Sequence, residues 1–465
     1  MSASPAGRGH AIDRFAAFDR YVADRMPAWT EELAAFCRIP SEGGDPVALR
    51  QAAGWIADRL DRLGATIDVV EVDGVPPLVI GELGRGRTLI LLQHYDVQPA
   101  APLELWTTGP YDPQVRDGRL YARGACDNKG ELLARAWGVE AYLATLGDLP
   151  CRLRFLVQGQ EEGGGDGFRK VLAARPGVLV ADGALSEGGD ADVSGRSVVY
   201  GGVRGMLEVE LACRTIAYDA HSSLANLLPS AAIRLVRALS TFWDDDGVPA
   251  IEGLEAQVRP PTQAQLALVD GMGEEELAEL LPAYGVEGFV AGRHGREANR
   301  VLTFGTTLNL QGLWSGYTGP GEKTITPAEA HARLDIRLVP DQEPAAVLEV
   351  IRRHLADHGF GDIAATPISD AYRAWWTAPD EPLLAAAVRA STAVKGMAAL
   401  QVVSGAGTEP MYDVAAAHGL PASSLGSADE HVRAHAPDES YRLADAEAAA
   451  RILGRFLDEF AAIRD

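Results

Sequence analysis

The sequence predicts an α/β layered domain that is interrupted by an inserted α+β domain, and three observations lead to this fold class. The chain has 465 residues, which is more than one hydrophobic core usually accommodates. Over about the first 200 residues, segments with helical apolar spacing alternate with short apolar runs typical of buried strands. After Gly205 the pattern changes to strict alternation, which indicates antiparallel strands.

The elements of the first part follow from apolar spacing and from glycine and proline punctuation. Pro46 is a favourable first helical residue and Gly64 marks a helix end, so they bound the second predicted helix. The run T-L-I-L-L-Q at 88–93 is typical of a strand buried on both faces. The predicted elements are helices over 12–36, 46–63 and 130–146, and strands over 66–72, 78–82, 88–93, 152–158 and 178–186.

The inserted domain is expected at residues 203–373, between two parts of the layered domain at 1–202 and 374–465. A helix over 382–394 and the segments to residue 465 return to the layered domain. Within the insertion, the predicted elements are strands over 206–214, 306–313 and 330–338, and helices over 229–243 and 344–358.

Composition and charge restrict the class of function. The chain is 47% hydrophobic and 23% charged, which are ordinary globular values, and its net charge is −23. Such an acidic balance argues against nucleic acid or an anionic membrane as a partner. The four cysteines form no C-x-x-C pair, the first residues lack the apolar core of a signal peptide, and no apolar run approaches about 18 residues. We therefore expect a cytoplasmic protein.

Histidine and acidic residues follow several predicted strands, where open α/β sheets bind their ligands. His94 and Asp96 form an H-x-D triplet, in which the histidine can bind a metal while the carboxylate orients the ring. Alone, such a triplet is more often a polar surface feature. Asp127 lies at a strand-to-helix junction, where the alternative is an N-cap of the next helix.

Further candidates are two adjacent glutamates, a third glutamate at a strand end, and a distant histidine. Glu161 and Glu162 precede three glycines, so one carboxylate can bind a metal while the other transfers a proton. Glu187 and His435 complete a set of nitrogen and oxygen donors that suits zinc, with manganese or cobalt as alternatives. The composition and spacing predict a two-metal hydrolase.

Two other residues near Asp127 have competing interpretations. Cys126 is a candidate nucleophile, although a small buried thiol is the commoner case. Lys129 is expected to be solvent-exposed rather than catalytic.

The motifs resemble the zinc-dependent exopeptidase family that includes cytosolic dipeptidases (carnosinases), aminoacylase and succinyl-diaminopimelate desuccinylase, and the dipeptidase branch most closely. The similar stretches are R-I-P-S at 38–41, H-Y-D-V-Q-P-A at 94–100 and D-G-R-L-Y-A-R-G-A-C-D-N-K-G at 117–130. The resemblance implies a catalytic domain with a mixed central sheet flanked by helices, and an inserted lid and dimerisation domain. It also implies a homodimer formed through the inserted domain.

Position by position, the resemblance implies a role for each candidate. It implies two divalent ions per chain and a cis peptide bond between Asp127 and Asn128. The H-x-P-D-E ending of the last segment favours His435 over His431 as a ligand. The implied roles are His94 and Glu187 on one ion, Glu162 and His435 on the other, Asp127 as the bridge, Glu161 as general base, and Asp96 as the residue that orients His94.

The resemblance extends into the inserted domain. His221, in a D-x-H-S segment, is implied to stabilise the oxyanion across a dimer interface, and Asn309 and Arg337 are implied to contact substrate. The residues alone would favour a structural histidine and an arginine in a surface or interdomain ion pair. The family's R-E-G-G-S-I-P reads S-G-A-G-T-E-P here, which makes Thr408 and Glu409 substrate-contact candidates, with Glu409 facing a cationic group.

The expected function is hydrolysis of the amide bond of dipeptides or related small N-substituted amino acids, with Glu161 as general base. The alternative on the same site is an N-acyl or N-carbamoyl amino acid amidohydrolase. Two further hypotheses are a non-catalytic binding protein on the same fold and a cysteine hydrolase that uses Cys126.

Overall fold

The computed structural model describes residues 14–164, 166–272, 277–278 and 280–464, so residues 12–13 of the first predicted helix lie outside the described residues. No helix in these ranges combines the length and apolarity needed to cross a bilayer. The helices are α1 Ala16–Cys37, α2 Pro46–Asp61, α3 Lys129–Thr145, α4 Asp166–Ala174, α5 Ala231–Leu239, α6 Gln263–Gly271, α7 Leu280–Tyr284, α8 Gly295–Phe304, α9 Pro344–Asp357, α10 Pro382–Lys395, α11 Met411–Val414 and α12 Leu443–Ala461.

The strands belong to one large sheet, one smaller sheet and three short ladders. In chain order they are β1 Thr66–Val72, β2 Val75–Leu83, β3 Thr88–His94, β4 Gln114–Arg116, β5 Arg119–Tyr121, β6 Arg152–Gln158, β7 Gly183–Ser186, β8 Val198–Tyr200, β9 Gly202–Val203, β10 Gly205–Arg214, β11 Ala220–His221, β12 Asn309–Ser315, β13 Ile325–Thr326, β14 Glu329–Leu338, β15 Ala364–Pro367, β16 Trp375–Trp376, β17 Leu400–Val402, β18 Ala422–Ser424 and β19 Ser440–Arg442.

The large sheet is mixed and has eight strands in the order β1-β2-β6-β3-β7-β18-β8-β17. Its centre is parallel, because β3 pairs in parallel with both β6 and β7. At one edge, β1 and β2 run antiparallel. Every residue of β3 is buried, as the apolar run at 88–93 predicts. The predicted α/β class with a mixed central sheet is confirmed.

Helices cover both faces of the large sheet. On one face, α1, α2, α3, α10 and α12 bury their apolar residues against the strands, and Trp29 of α1 stacks on Trp137 of α3 with ring centroids 5.3 Å apart. On the other face, α4 and α11 pack on a smaller core. The parallel centre of the sheet is therefore closed off from water, and only the strand ends are available to ligands.

A second sheet, in the order β12-β14-β10-β15, has its own core with α5 and α9. The chain passes between the two sheets at β9 and β16, which pair with each other. A Cβ on Gly202 would lie 2.2 Å from the carbonyl oxygen of Trp375, so only glycine allows the two strands to approach this closely.

Some segments differ from the sequence-based expectations. The strand predicted over 178–186 is confined to β7, because a 3₁₀ turn occupies Pro176–Leu179. The Arg154 guanidinium donates to the carbonyls of Val178 and Val180 at 2.6 and 2.8 Å, which holds that segment outside the sheet. The helices α4, α6, α7, α8, α11 and α12 were not predicted.

Close packing of α3 against α12 predicts the effect of one substitution. A Cβ on Gly138 would lie 2.7 Å from the carbonyl oxygen of Ala450, so Gly138→Ala should lower the free energy of unfolding by about 1–3 kcal/mol. Gly54→Ala is the matched control, because nothing lies within 4 Å of a Cβ there. That change should raise stability by up to about 1 kcal/mol. Urea denaturation measures both, and equal effects of the two would contradict the packing argument.

Candidate metal centre

The candidate ligands lie at the carboxyl ends of neighbouring strands. His94 ends β3, Glu161 and Glu162 come soon after β6, and Glu187 comes directly after β7. Because β3, β6 and β7 are parallel neighbours, their carboxyl ends meet at one edge of the sheet. The fold thus brings these four side chains together although the chain separates them.

Two further side chains reach this edge from outside the sheet. Asp127 lies in the turn before α3, and the Asp127–Asn128 peptide bond is cis, as the resemblance implies. His435 lies in the segment between β18 and β19, with a φ of 63°. Such a left-handed conformation is uncommon outside glycine.

Asp127 lies between the two histidines. Its Oδ1 is 3.1 Å from Nε2 of His94, and its Oδ2 is 3.0 Å from Nε2 of His435. Glu187 Oε2 is 3.1 Å from the same His94 nitrogen, and Glu162 Oε2 is 3.3 Å from the same His435 nitrogen. Each imidazole therefore faces two carboxylates, of which Asp127 is common to both.

The donor set fits divalent cations. The candidate ligand atoms of His94, Asp127 and Glu162 lie within 4.8 Å of one another, and so do those of His94, Glu161 and Glu187. Glu162 Oε1 is buried and has no hydrogen-bond partner among the described residues. Nitrogen and carboxylate donors without a thiolate suit zinc and also accept manganese or cobalt.

The electrostatics of the cluster favour positive charge. Burial alone would lower the pKa of His94, but the charge of Glu187 and the hydrogen bond to Asp127 raise it well above its ordinary value. Hydrogen bonds to Asp127 and Glu162 raise the pKa of His435 to about 10. Burial would raise the pKa of Asp127, but hydrogen bonds to both histidines hold it below its usual range. The same negative potential would stabilise a bound cation.

Asp96 contacts both His94 and the loop that carries the two glutamates. It is fully buried, and its Oδ1 lies 3.3 Å from Nδ1 of His94. Its two carboxylate oxygens also accept the backbone N–H groups of Glu161 and Glu162 at 3.2 and 3.0 Å. Contacts of this kind orient metal ligands, and the link to the glutamate loop was not foreseen from the sequence.

Glu161 has the environment of a proton-transfer group. Burial raises its pKa to about 8, the charge of His94 opposes this shift, and the charge of Glu162 adds to it. A carboxyl whose pKa is close to neutrality can both take and return a proton.

Sequence reasoning missed two buried acids behind the ligands. Glu439 accepts the backbone N–H groups of the loop that presents Asp127, and Glu131 accepts the backbone N–H of Gly188. Their partners are backbone amides distant in sequence, which leave no local pattern. The H-x-P-D-E ending that favoured His435 also contains Glu439, and it is the one signal that could have identified this residue.

The structure resolves the competing interpretations near Asp127. The expectation that Lys129 is solvent-exposed is wrong: it is fully buried, and its Nζ donates to the carbonyls of Ile39 at 2.6 Å and Phe36 at 3.3 Å. Asn128, not Asp127, is the N-cap residue of α3. Cys126 is buried, and burial raises the pKa of its thiol well above the ordinary value, which disfavours a nucleophilic thiolate.

The candidate substrate residues differ in their contacts and in their exposure. Arg337 Nη1 donates to Thr408 Oγ1 at 2.9 Å, so the end of β14 reaches the loop after β17. Asn309 is exposed at the start of β12. Glu409 is only 5% exposed, accepts a hydrogen bond from the hydroxyl of Ser186, and has a pKa that burial raises to about 7.

His221 is exposed at the end of β11 and is not brought to the cluster within the described part of this chain. Its Nδ1 accepts the backbone N–H of Ser223 at 3.1 Å. Since an amide N–H only donates, the neutral ring carries its proton on Nε2. His431 is also exposed, and the nearest carboxylate is that of its neighbour Glu430 at 3.6 Å.

Comparison with known proteins gives one consistent family. A sequence model of the peptidase family M20/M25/M40 matches residues 90–459. The mouse Beta-Ala-His dipeptidase is 28% identical over 365 residues, which cover 72% of each chain. The Cys-Gly metallodipeptidase of Schizosaccharomyces pombe is 27% identical over 337 residues, covering 68% of this chain and 70% of the relative.

A solved structure supports the same assignment. The M20 family metallo-carboxypeptidase of Sulfolobus solfataricus has a TM-score of 0.85 and 30% identity, with 94% of this chain and 99% of that chain covered. These findings confirm the resemblance to metal-dependent exopeptidases and their dipeptidase branch. The chain belongs to the peptidase family M20/M25/M40, and it is a metallopeptidase.

Proposed function

We propose that this metallopeptidase cleaves dipeptides with two divalent ions held at the cluster around Asp127. The observation that carries the proposal is that the two oxygens of Asp127 face different histidines, at 3.1 and 3.0 Å. His94 and Glu187 would hold one ion, His435 and Glu162 the other, and Asp127 would contact both. Zinc is the ion that this donor set favours. When bound there, divalent ions polarise a carbonyl and lower the pKa of water to about 7.

Glu161 supplies the proton transfers. Its carboxylate would take a proton from the attacking water and return it to the amine that leaves, because it lies in the ligand cluster beside His94 and Glu187. Asp96 keeps Glu161 and Glu162 in place through their backbone amides. Asp96 thus positions both the proposed general base, Glu161, and a proposed metal ligand, Glu162.

Substrate is held where the two sheets meet. Arg337 has a planar guanidinium suited to a bidentate grip on a terminal carboxylate, and its bond to Thr408 links β14 to the loop that also carries Glu409. Asn309 is exposed on the neighbouring edge strand and would add an amide contact. Glu409 completes the proposed substrate-contact set, although its carboxylate is turned to Ser186. The mouse and fission yeast relatives are named as dipeptidases, which supports a short substrate with a free terminus.

The proposed domains are a catalytic part at 1–202 and 374–465 and an inserted part at 203–373. The separate core of the smaller sheet supports this division. We infer that the inserted part also forms a homodimer, because its edge strand β12 and helix α5 expose large apolar side chains, among them Trp314, Leu313 and Ile233. In the dimer, Nε2–H of His221 would donate to the oxyanion in the partner's site.

A substitution on α5 tests the dimer. Ile233 is 64% exposed, and Ile233→Glu should give a monomer whose kcat falls by about 10²–10³-fold through loss of the partner's oxyanion donor. Val47→Glu is the matched control, since Val47 is 73% exposed on α2 of the other part of the chain. Sedimentation velocity and kcat are the measurements. A wild-type monomer with full activity would contradict the proposed interface.

The function itself is tested by metal content together with a substrate panel. Elemental analysis should find close to two ions per chain, and activity on dipeptides should be lost on chelation and restored by zinc, manganese or cobalt. The panel includes N-acetyl, N-succinyl and N-carbamoyl amino acids. Preference for these compounds would replace the dipeptidase proposal by the deacylase alternative, and activity that is indifferent to chelation would refute the two-metal site.

A further inference from the structure

Glu439 lies behind the Asp127 loop and is fully buried. Its Oε1 accepts the backbone N–H groups of Cys126 and Asp127, both at 3.1 Å. Its Oε2 accepts the backbone N–H of Gly124 at 2.9 Å and a guanidinium N–H of Arg123 at 2.8 Å. Four donors thus converge on one carboxylate, and three of them are backbone amides of the loop that presents Asp127.

We propose that Glu439 is a positioning residue that fixes the orientation of the Asp127 carboxylate toward both histidines. The inference rests on the proposed function, in which Asp127 contacts two ions. Glu439 does not face the cluster through its own oxygens, because both are used by the four donors. Its role is therefore to hold the loop rather than to bind metal.

The same segment also carries His435, four residues before Glu439. His435 Nε2 is 3.0 Å from Asp127 Oδ2, so one residue of this segment contacts the Asp127 side chain. Glu439, in the same segment, accepts the backbone N–H of Asp127. Arg123 extends the arrangement, because its other nitrogen donates to the carbonyl of Pro99 at 3.3 Å, in the H-Y-D-V-Q-P-A stretch. Docking of one C-terminal segment thus sets the position of two candidate ligands.

Replacing one oxygen of the Glu439 carboxylate should disrupt the hydrogen bonds that its four donors make. Glu439→Gln keeps the size of the side chain but replaces one acceptor by an amide group that donates. Whichever way the amide is turned, two of the four donors face another donor. The loop should then hold Asp127 less firmly, and changes to residues that orient metal ligands typically weaken metal binding by about 10- to 100-fold.

The experiment compares Glu439→Gln with Asp445→Asn in the full-length protein. Asp445 is also a buried acid, 1% exposed and paired with Arg442, but it does not contact the ligand loops. Two readouts are used: hydrogen exchange of the amides of residues 124–127 in metal-free protein, and the affinity and absorption spectrum of bound Co²⁺.

We expect faster exchange over 124–127 and about 10- to 100-fold weaker Co²⁺ binding with an altered spectrum in Glu439→Gln, and neither change in Asp445→Asn. Equal exchange and equal Co²⁺ binding in the two variants would overturn the positioning role while leaving the proposed function intact. A wild-type protein that takes up no Co²⁺ would overturn the two-metal proposal, and the role of Glu439 in metal binding with it.

Discussion

Replacing Glu161 by glutamine should reduce kcat by about 10²–10⁴-fold while metal content stays close to that of the wild type. Glutamine has nearly the same size as glutamate but cannot accept or return a proton. The fold should be unaffected, because the contact that holds this loop comes from the backbone N–H of Glu161 to Asp96, which glutamine retains. Steady-state kinetics on a dipeptide and elemental analysis of the same preparation are the measurements.

Glu162→Gln is the informative contrast to Glu161→Gln. Glu162 Oε2 lies 3.3 Å from His435 Nε2, and its buried Oε1 has no hydrogen-bond partner in the part of the chain that the structure describes. This change should therefore lower the metal content as well as the activity. If Glu161→Gln keeps near-wild-type turnover, the assignment of the general base is wrong. If it instead loses metal, Glu161 is a ligand, as its proximity to His94 and Glu187 would allow.

Asp127→Asn should lower metal binding at both positions at once. The change removes the negative charge shared by His94 and His435, and an amide nitrogen would face one of the two histidines. Loss of ion-assisted charge stabilisation worth several kcal/mol corresponds to a fall in kcat of more than about 100-fold. Elemental analysis should find fewer than one ion per chain where the wild type holds about two.

Chelation and reloading provide the control for Asp127→Asn. Wild-type protein stripped of metal should regain activity with zinc, whereas the variant should remain inactive even in excess zinc. A variant that loses only one ion and keeps activity would show that Asp127 does not serve both positions.

The sequence predicted the buried central strands and the candidate ligands that follow them. T-L-I-L-L-Q predicts β3 because few structures other than a central strand bury every residue of such a run, and His94 follows as its last residue. The hydrogen bond between Arg337 and Thr408, by contrast, was not predicted.

Other features of the fold and of the site were not predicted, and the reason differs from one feature to the next. Helix α6 was missed although Thr262 and Gln265 form a capping box at its start, a pattern that local reading can detect. Glu439 was missed because its partners are backbone amides more than 300 residues away, which any amino acid can supply. Lys129 was taken for a solvated residue because nothing local shows that the end of α1 covers it.

The wide separation of the candidate ligands along the sequence has a consequence for the synthesis of the protein. His435 lies 308 residues after Asp127. At 5–20 residues per second, a ribosome needs about 15–60 s to make the intervening chain. Throughout that time the emerging polypeptide holds only part of the proposed ion-binding set, and Asp127 lacks the segment that supports it. Both ions would therefore bind only after residue 435 has been synthesised. A product truncated before residue 435 would lack a complete site.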